Sequence, residues 1–233
     1  MVKKNIYKPF YKQFLRLKKN IQNRPKLFKF KRQKWKKFQQ YSKNQLKFYK
    51  RFKIKDQFQL SVSRFASRGN SFQKKFRDNL YERKAFSLFY GKLKKKYLKR
   101  HILASFNSQH AVLKFFESRL DTVLYRANFS LTIESARQLI LHGHIFVNGI
   151  PVRIKSYILK ENDLISVGNN IKARNLIKKS LDRSNFWPIP PKHLAINYRT
   201  LQILFIYTTT SNLMPVFSYY LNVNSLTMNI KKL

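Results

Sequence analysis

Apolar positions recur at helical spacing in three stretches of the chain and at strand spacing further on. Between Phe76 and Arg100, residues Phe86, Phe89, Tyr90, Leu93 and Tyr97 stand at offsets 0, 3, 4, 7 and 11, which predicts one helix with a single apolar stripe. Its opposite face carries Lys92, Lys94, Lys95, Lys96 and Lys99, while Gly91 interrupts the stripe at a cost of about 1 kcal/mol relative to Ala. A second helix follows from Leu120, Val123, Leu124 and Ala127 at offsets 0, 3, 4 and 7, with Arg119, Thr122 and Arg126 on another face. After a break at Asn128 to Leu131, Thr132 is placed to cap a third helix with Ile133, Ala136, Leu139 and Ile140 inward and Arg137, Gln138 and Leu141 outward. Gly143 supplies the helix stop, and His144 to Val147 reads as a short strand. Asn148-Gly149 is a two-residue hairpin turn leading into a strand from Val152 to Ile158, and Asp163 to Val167 is a further strand. Beyond it lie two β-like runs, Ile196 to Tyr207 and Val216 to Met228.

In the first hundred residues neither period lasts. Lys and Arg interleave there with rings, as in Lys8-Pro9-Phe10-Tyr11-Lys12 and Lys34-Trp35-Lys36-Lys37-Phe38. Residues 1–100 hold 34 basic and 3 acidic side chains, whereas 101–233 hold 16 and 6, within a total net charge of +41. Such a density repels itself unless a polyanion neutralises it, so nucleic acid or an anionic surface is the expected partner. Cations interleaved with rings suit phosphates and unstacked bases together. A solvated basic face would explain a short run of lysines but not a surplus of 31 over 100 residues. The hydrophobic share of 43% exceeds that of a disordered tail and provides for at least one core.

Several chemistries are excluded. Without cysteine there is no disulfide, thiolate zinc site or cysteine nucleophile. Five histidines and nine carboxylates show no metal-ligand spacing, and no Gly-rich phosphate loop leads to Lys and Ser or Thr, so neither metal nor cofactor is expected. No apolar run approaches the roughly 18 residues of a membrane span, so no membrane insertion is predicted. Peripheral membrane binding has only basic and aromatic content in its favour, with no clear amphipathic helix outside the segments expected to bind nucleic acid. Arg119-Leu120-Asp121 superficially resembles the catalytic Arg-Leu-Asp of pseudouridine synthases, but the downstream Thr and Gly-Leu-Leu run is absent. Asp121 is better read as a first-turn helix residue paired with a nearby Arg. His142-Gly143-His144-Ile145 lacks the strand-loop-helix surroundings of a synthetase signature. The expectation is a protein that is not an enzyme.

Arg119-Leu120-Asp121, Val123, Tyr125-Arg126, Ala136-Arg137-Gln138-Leu139, His142, Ile145, Val147-Asn148-Gly149, Ser156-Tyr157 and Asp163 share the order and spacing of one family. The segment resembles the RNA-binding module of the small-subunit ribosomal protein four family. Tyr90-Gly91 with Leu93 and Tyr97 is similar to the aromatic-Gly helix preceding that module, and Pro191 with His193-Leu194 looks like its C-terminal end. The resemblance implies an α+β fold: a mainly helical basic domain with an inserted small RNA-binding module, two helices packed on a short antiparallel sheet. The implied divisions are a basic N-terminal region at 1–115, the module at 116–180, and a tail at 181–233 packing back on the N-terminal domain. It implies RNA contacts for Arg119, Arg126, Arg137, Gln138 and His142; Lys155 from the hairpin joins them, and the lysine face of the preceding helix adds Lys92, Lys95, Lys96, Lys99 and Arg100 as phosphate contacts. Ile133 stands where the family usually has a basic residue, so one phosphate contact is missing; the first 70 residues also lack the cysteines of relatives with a zinc knuckle.

The implied function is that of a structural constituent of the small ribosomal subunit, a primary binder organising a multi-helix junction of small-subunit rRNA during assembly. Its implied neighbours are small-subunit proteins three and five and the mRNA at the entrance. The alternative is an RNA-modifying or RNA-chaperone protein using the same module, which would need a second, catalytic domain. Abundant Lys, Phe, Asn, Ile and Tyr with only 5 Gly match an A/T-rich gene. Residues 1–20 have neither the apolar region of a secretory signal nor a Ser and Arg bias, and read as mature sequence. An organelle-encoded mitochondrial ribosomal protein is therefore expected ahead of a plastid or A/T-rich bacterial one.

Overall fold

A computed structural model describes residues 11–22, 29–41, 72–104, 109–182 and 191–206. The helices are α1 (Tyr11–Leu17), α2 (residues 33–41), α3 (Phe72–Phe89), α4 (Lys95–Ala104), α5 (Gln109–Glu117), α6 (Leu120–Arg126), α7 (Ile133–Leu141) and α8 (Ile171–Asp182). The strands are β1 (Ile145–Val147), β2 (Ile150–Pro151), β3 (Leu164–Val167), β4 (Leu194–Asn197) and β5 (Gln202–Phe205). They form one antiparallel sheet in the order β2-β1-β3-β5-β4. The α+β expectation is borne out.

Two apolar clusters divide these elements. The first gathers α1 to α5 around rings, with Phe14, Trp35, Phe38, Phe86, Phe89, Tyr90 and Phe116 buried together. Phe86 packs edge-on against Phe116 with centroids 5.3 Å apart, a favoured arrangement for aromatic pairs. The second cluster is mainly aliphatic: Val123, Leu124, Ala136 and Ile140 of α6 and α7 meet Ile145, Ile165 and Ile203 of the sheet. The inward residues of α7 are those its spacing predicts, and Thr132 caps it by accepting a hydrogen bond from the Ser135 amide at 3.1 Å. Asn148 and Gly149 turn the hairpin with φ of 49° and 82°, the left-handed values that a two-residue turn of this kind needs.

The structure departs from the expectations in three places. The helix expected over Phe76 to Arg100 is two helices, because Gly91 takes φ +72° and Lys92 φ +55°, ending α3 before α4 begins. The strand expected from Val152 to Ile158 does not form: the partner of β1 is β2, Ile150–Pro151, which ends before that range. The backbone beyond is claimed by the entry to α6: the Leu120 amide bonds Tyr157 O and the Leu159 amide bonds Ser118 O. Helix α8 was not anticipated, although Ala173, Ile177 and Ser180 are spaced for one buried face, and Asn170 starts it by accepting from the Lys172 amide. In the tail, residues 191–206 extend the module's sheet, β5 pairing with β3 through Ile165↔Ile203, and Leu194, Leu201, Ile203 and Phe205 enter the module's core; residues 207–233, on which the expected packing against the N-terminal domain also bears, lie outside the described residues. The expected β-like run Val216 to Met228, the basic-aromatic segment around Lys8 and most of residues 1–70 lie outside the described residues.

Candidate nucleic-acid interface

The arginines expected to meet RNA sit where α5, α6 and α7 converge, and the local chain explains their burial. Asp121 occupies the first turn of α6 and is fully buried. A lone buried carboxylate is costly, so it gathers cations. Arg119 embraces it from two residues away, Nε donating to Oδ1 at 3.1 Å and Nη2 to Oδ2 at 2.9 Å. Arg137 of α7 donates to the same carboxylate from Nε at 2.8 Å. Burial would lower the pKa of Arg119, but the hydrogen bond and charge of Asp121 outweigh it and raise the value.

These two guanidinium groups also reach across to the helical half. Arg119 donates to the Tyr97 hydroxyl of α4 at 2.8 Å. Arg137 donates from Nη1 to Gly91 O at 2.6 Å and from Nη2 to Tyr90 O at 2.7 Å, holding the turn between α3 and α4. A Cβ on Gly91 would stand 2.4 Å from the Arg137 guanidinium, so glycine is required there for close approach as well as for its positive φ.

Glu117, at the end of α5, makes a parallel tie. Arg126 donates to it from Nε at 3.0 Å and Nη2 at 2.8 Å, and the Tyr90 hydroxyl donates at 2.5 Å. The Arg126 guanidinium also lies over the Phe89 ring, 5.1 Å from its centroid. Burial alone would raise the pKa of Glu117, yet Arg126 holds it below the usual carboxylate range. His193 of the tail is buried beside this pair; burial lowers its pKa, with Glu117 opposing and Arg126 reinforcing the shift.

Arg119 is 3% exposed, and the side chains of Arg126 and Arg137 are 13% and 16% exposed. All three spend their strongest hydrogen bonds inside the chain. The sequence did not single them out: Arg119 stands two residues from Asp121 and Arg126 nine from Glu117, but Arg83 adjoins Glu82 and Lys160 adjoins Glu161 just as closely. Asp121, shut between Arg119 and Arg137, cannot approach a flipped nucleotide, which removes the one residue a pseudouridine synthase reading would use.

The other expected contacts face outward. Gln138 and His142 are exposed on α7 and at its C-cap, and Lys155 is exposed on the loop after β2. Lys92, Lys95, Lys96 and Arg100 are exposed on and before α4, and Lys99 is half-buried. The sequence reading missed Arg153. It is exposed, and its Nε would lie 3.2 Å from a Cβ at Gly143, which sets its cation over the turn between His142 and His144. Those two imidazoles are nearly parallel, with centroids 5.9 Å apart. Ile133 is 2% exposed, consistent with the absence of a phosphate contact there. Among the described residues no group of three or more His, Asp or Glu could hold a metal ion.

The sequence of this module matches a known family. Residues 118–165 match the family model described as the S4 domain. The small ribosomal subunit protein uS4m of Marchantia polymorpha is 33% identical over 161 residues, covering 68% of this chain and 82% of that protein. The chain belongs to the uS4 family. The uS4 protein of Kosmotoga olearia is 36% identical over 115 residues, 48% of this chain and 55% of its own length. The uS4c protein of Aethionema cordifolium is 37% identical over 125 residues, 52% of this chain and 62% of its own. The chain thus spans little more than half the length of two of these three relatives. The uS4 relatives are non-enzymatic, and membership bears out the expectation that this chain is not an enzyme.

Proposed function

We propose that this uS4 chain is a structural constituent of the small ribosomal subunit that binds small-subunit rRNA at a multi-helix junction during assembly. The observation that carries this reading is the length of the similarity. A protein that merely borrowed the module would match over residues 118–165, whereas the alignment with Marchantia polymorpha uS4m runs over 161 residues. Charge supports it, since +41 over 233 residues needs a polyanion. In this reading affinity comes from phosphate neutralisation and counterion release, and selectivity from the shape of a folded RNA. Lys92, Lys95, Lys96, Lys99 and Arg100 face phosphates from the helical half, and Gln138, His142, Arg153 and Lys155 from the module. Arg119, Arg126 and Arg137 serve that surface indirectly, by fixing one half against the other.

Resemblance to the family supports three finer statements within the same proposal. The protein lies near the mRNA entrance; its neighbours there are small-subunit proteins three and five; and its compartment is the mitochondrion. The bacterial, mitochondrial and plastid relatives are comparably similar, between 33% and 37% identical, so the compartment rests on A/T-rich composition and divergence. The test is sedimentation of the native protein from an organelle extract through a high-salt gradient, with and without ribonuclease. Comigration with the small subunit that survives salt and vanishes with ribonuclease is expected. A protein running free, or with precursor rRNA alone, would overturn the structural reading.

A further inference from the structure

Helices α1, α3 and α4 leave between them an open groove with a cavity of about 630 Å³. Its floor is apolar: Leu17, Leu88 and Leu98 belong to the buried aromatic cluster, Leu80 and Leu93 add to them, and Tyr81 and Gln13 also line the groove. Its rim is cationic, formed by Arg16, Arg83, Lys84, Lys92, Lys95 and Lys99, and no carboxylate lines it. Glu82, the nearest acid along α3, is paired with Lys19 of the segment after α1. The groove also holds the Ser87 hydroxyl, which donates to Leu93 O at 2.8 Å and keeps its oxygen free to accept.

A duplex backbone presents phosphates and sugars to a protein, and a flat cationic face is enough to meet it. It has no use for a leucine-floored hollow. An unstacked base, by contrast, has an apolar face to bury and carries a phosphate on either side. We propose that this groove seats one unpaired nucleotide of the bound RNA, its base against the leucines and its flanking phosphates on the rim lysines and arginines. The size lies within the roughly 300–1,000 Å³ of small-ligand sites and admits a single nucleotide. The axis of α4 starts at Lys95, so the positive end of its dipole adds to the rim's potential. The inference rests on the rRNA-binding reading and names what one part of that surface recognises.

The test is photocrosslinking of the full chain to 4-thiouridine-substituted small-subunit rRNA, with the crosslinked peptides and nucleotides both mapped. The expected result is an adduct between residues 80–99 and an unpaired nucleotide, besides adducts on the module. Leu80 is half-buried at the groove's edge, and Leu80→Trp fills the hollow while keeping every rim cation. It should reduce the groove adduct about tenfold and leave the module adducts unchanged. Lys84→Ala with Lys95→Ala, both exposed positions, should reduce the same adduct with the fold intact. Module adducts without a groove adduct, or a groove adduct confined to paired nucleotides or indifferent to Leu80→Trp, would overturn the inference and spare the rRNA reading. Absence of adducts from both regions would overturn the rRNA reading itself. Binding of phosphatidylglycerol vesicles that Leu80→Trp abolishes, with no groove adduct on rRNA, would assign the groove to an acyl chain and overturn the proposal.

Discussion

The helical half and the module handle positive charge in opposite ways. In the helical half, lysines spread outward over an aromatic core, as Lys92, Lys95 and Lys96 do on and before α4. In the module and at its border, three arginines turn inward onto Asp121 and Glu117 over a mainly aliphatic core. The difference follows from the scarcity of carboxylates and from side-chain chemistry. Arginine has a planar fork of donors that satisfies a buried carboxylate bidentately and stacks on rings, whereas the lysine ammonium is strongly hydrated and stays at the surface. Net charge points to a polyanionic partner. It does not say which cations would meet that partner, because Arg119, Arg126 and Arg137 are already engaged by buried acids.

The comparison breaks most sharply at Asp121. Asp121→Ala strands Arg119 and Arg137 in a buried site, and loss of one partner of such a pair costs about 3–5 kcal/mol. Urea unfolding should show that loss, while the salt dependence of RNA binding by the remaining folded protein keeps its slope. A reduced slope with undiminished stability would mean that the arginines contact phosphate after all.

Removing Lys92, Lys95, Lys96 and Arg100 together as alanines should do the reverse. Each phosphate contact contributes roughly 0.7–0.9 to the log-log salt slope, so the quadruple variant should lose about 3, with its unfolding midpoint in urea nearly unchanged.

Gly91→Ala forces a side chain into left-handed backbone and against Arg137, which should cost about 1–3 kcal/mol through strain and the displaced clamp. Thermal melting measures it, and pairing with Arg137→Ala should recover part of the loss if the contact with that guanidinium is its source.

Acid should loosen the Glu117 tie in two windows. His193 has a lowered pKa in the fold, so the unfolded chain takes its proton first, and stability begins to fall as pH drops below about 6.5. Glu117 is also lowered, so its contribution is complete above the ordinary glutamate value and is lost as pH falls through the depressed one. Stability measured from pH 8 to 3 should show both declines, and His193→Gln should remove only the upper one. The smallest effect belongs to the α7 cap, where Thr132→Ala should cost about 1 kcal/mol in urea unfolding without altering RNA binding.

Local signals were legible wherever a short stretch settles its own structure. The α6 and α7 stripes, the Thr132 cap and the Asn148-Gly149 turn follow from spacing, capping and backbone freedom, and the structure places them as read. The absence of a strand over 152–158 was not legible, since the backbone bonds of residues 157–159 go to Ser118 and Leu120, some 40 positions away. Nor was the destination of the tail: alternating apolar residues at 194–205 indicate strands but not which sheet edge accepts them. The candidate interface divides the same way. Exposure of the α4 lysines could be read from the helical face opposite the stripe, but Arg137 clamping Gly91 and Tyr90 joins positions 46 and 47 apart.

By itself the sequence determined the excess of positive charge, the absence of cysteine and nucleotide-loop chemistry, the α+β composition and the order α6, α7, hairpin turn and β3. These depend on charge totals, residue types and local periodicity, which are properties of the chain before it folds. Only the tertiary structure decided which cations remain on the surface, that α3 and α4 separate at Gly91, that β5 completes the module's sheet, and that three helices leave a cationic groove with a leucine floor. Each depends on which distant groups compete for the same hydrogen bond or the same buried volume, and that competition exists only once the chain has closed on itself.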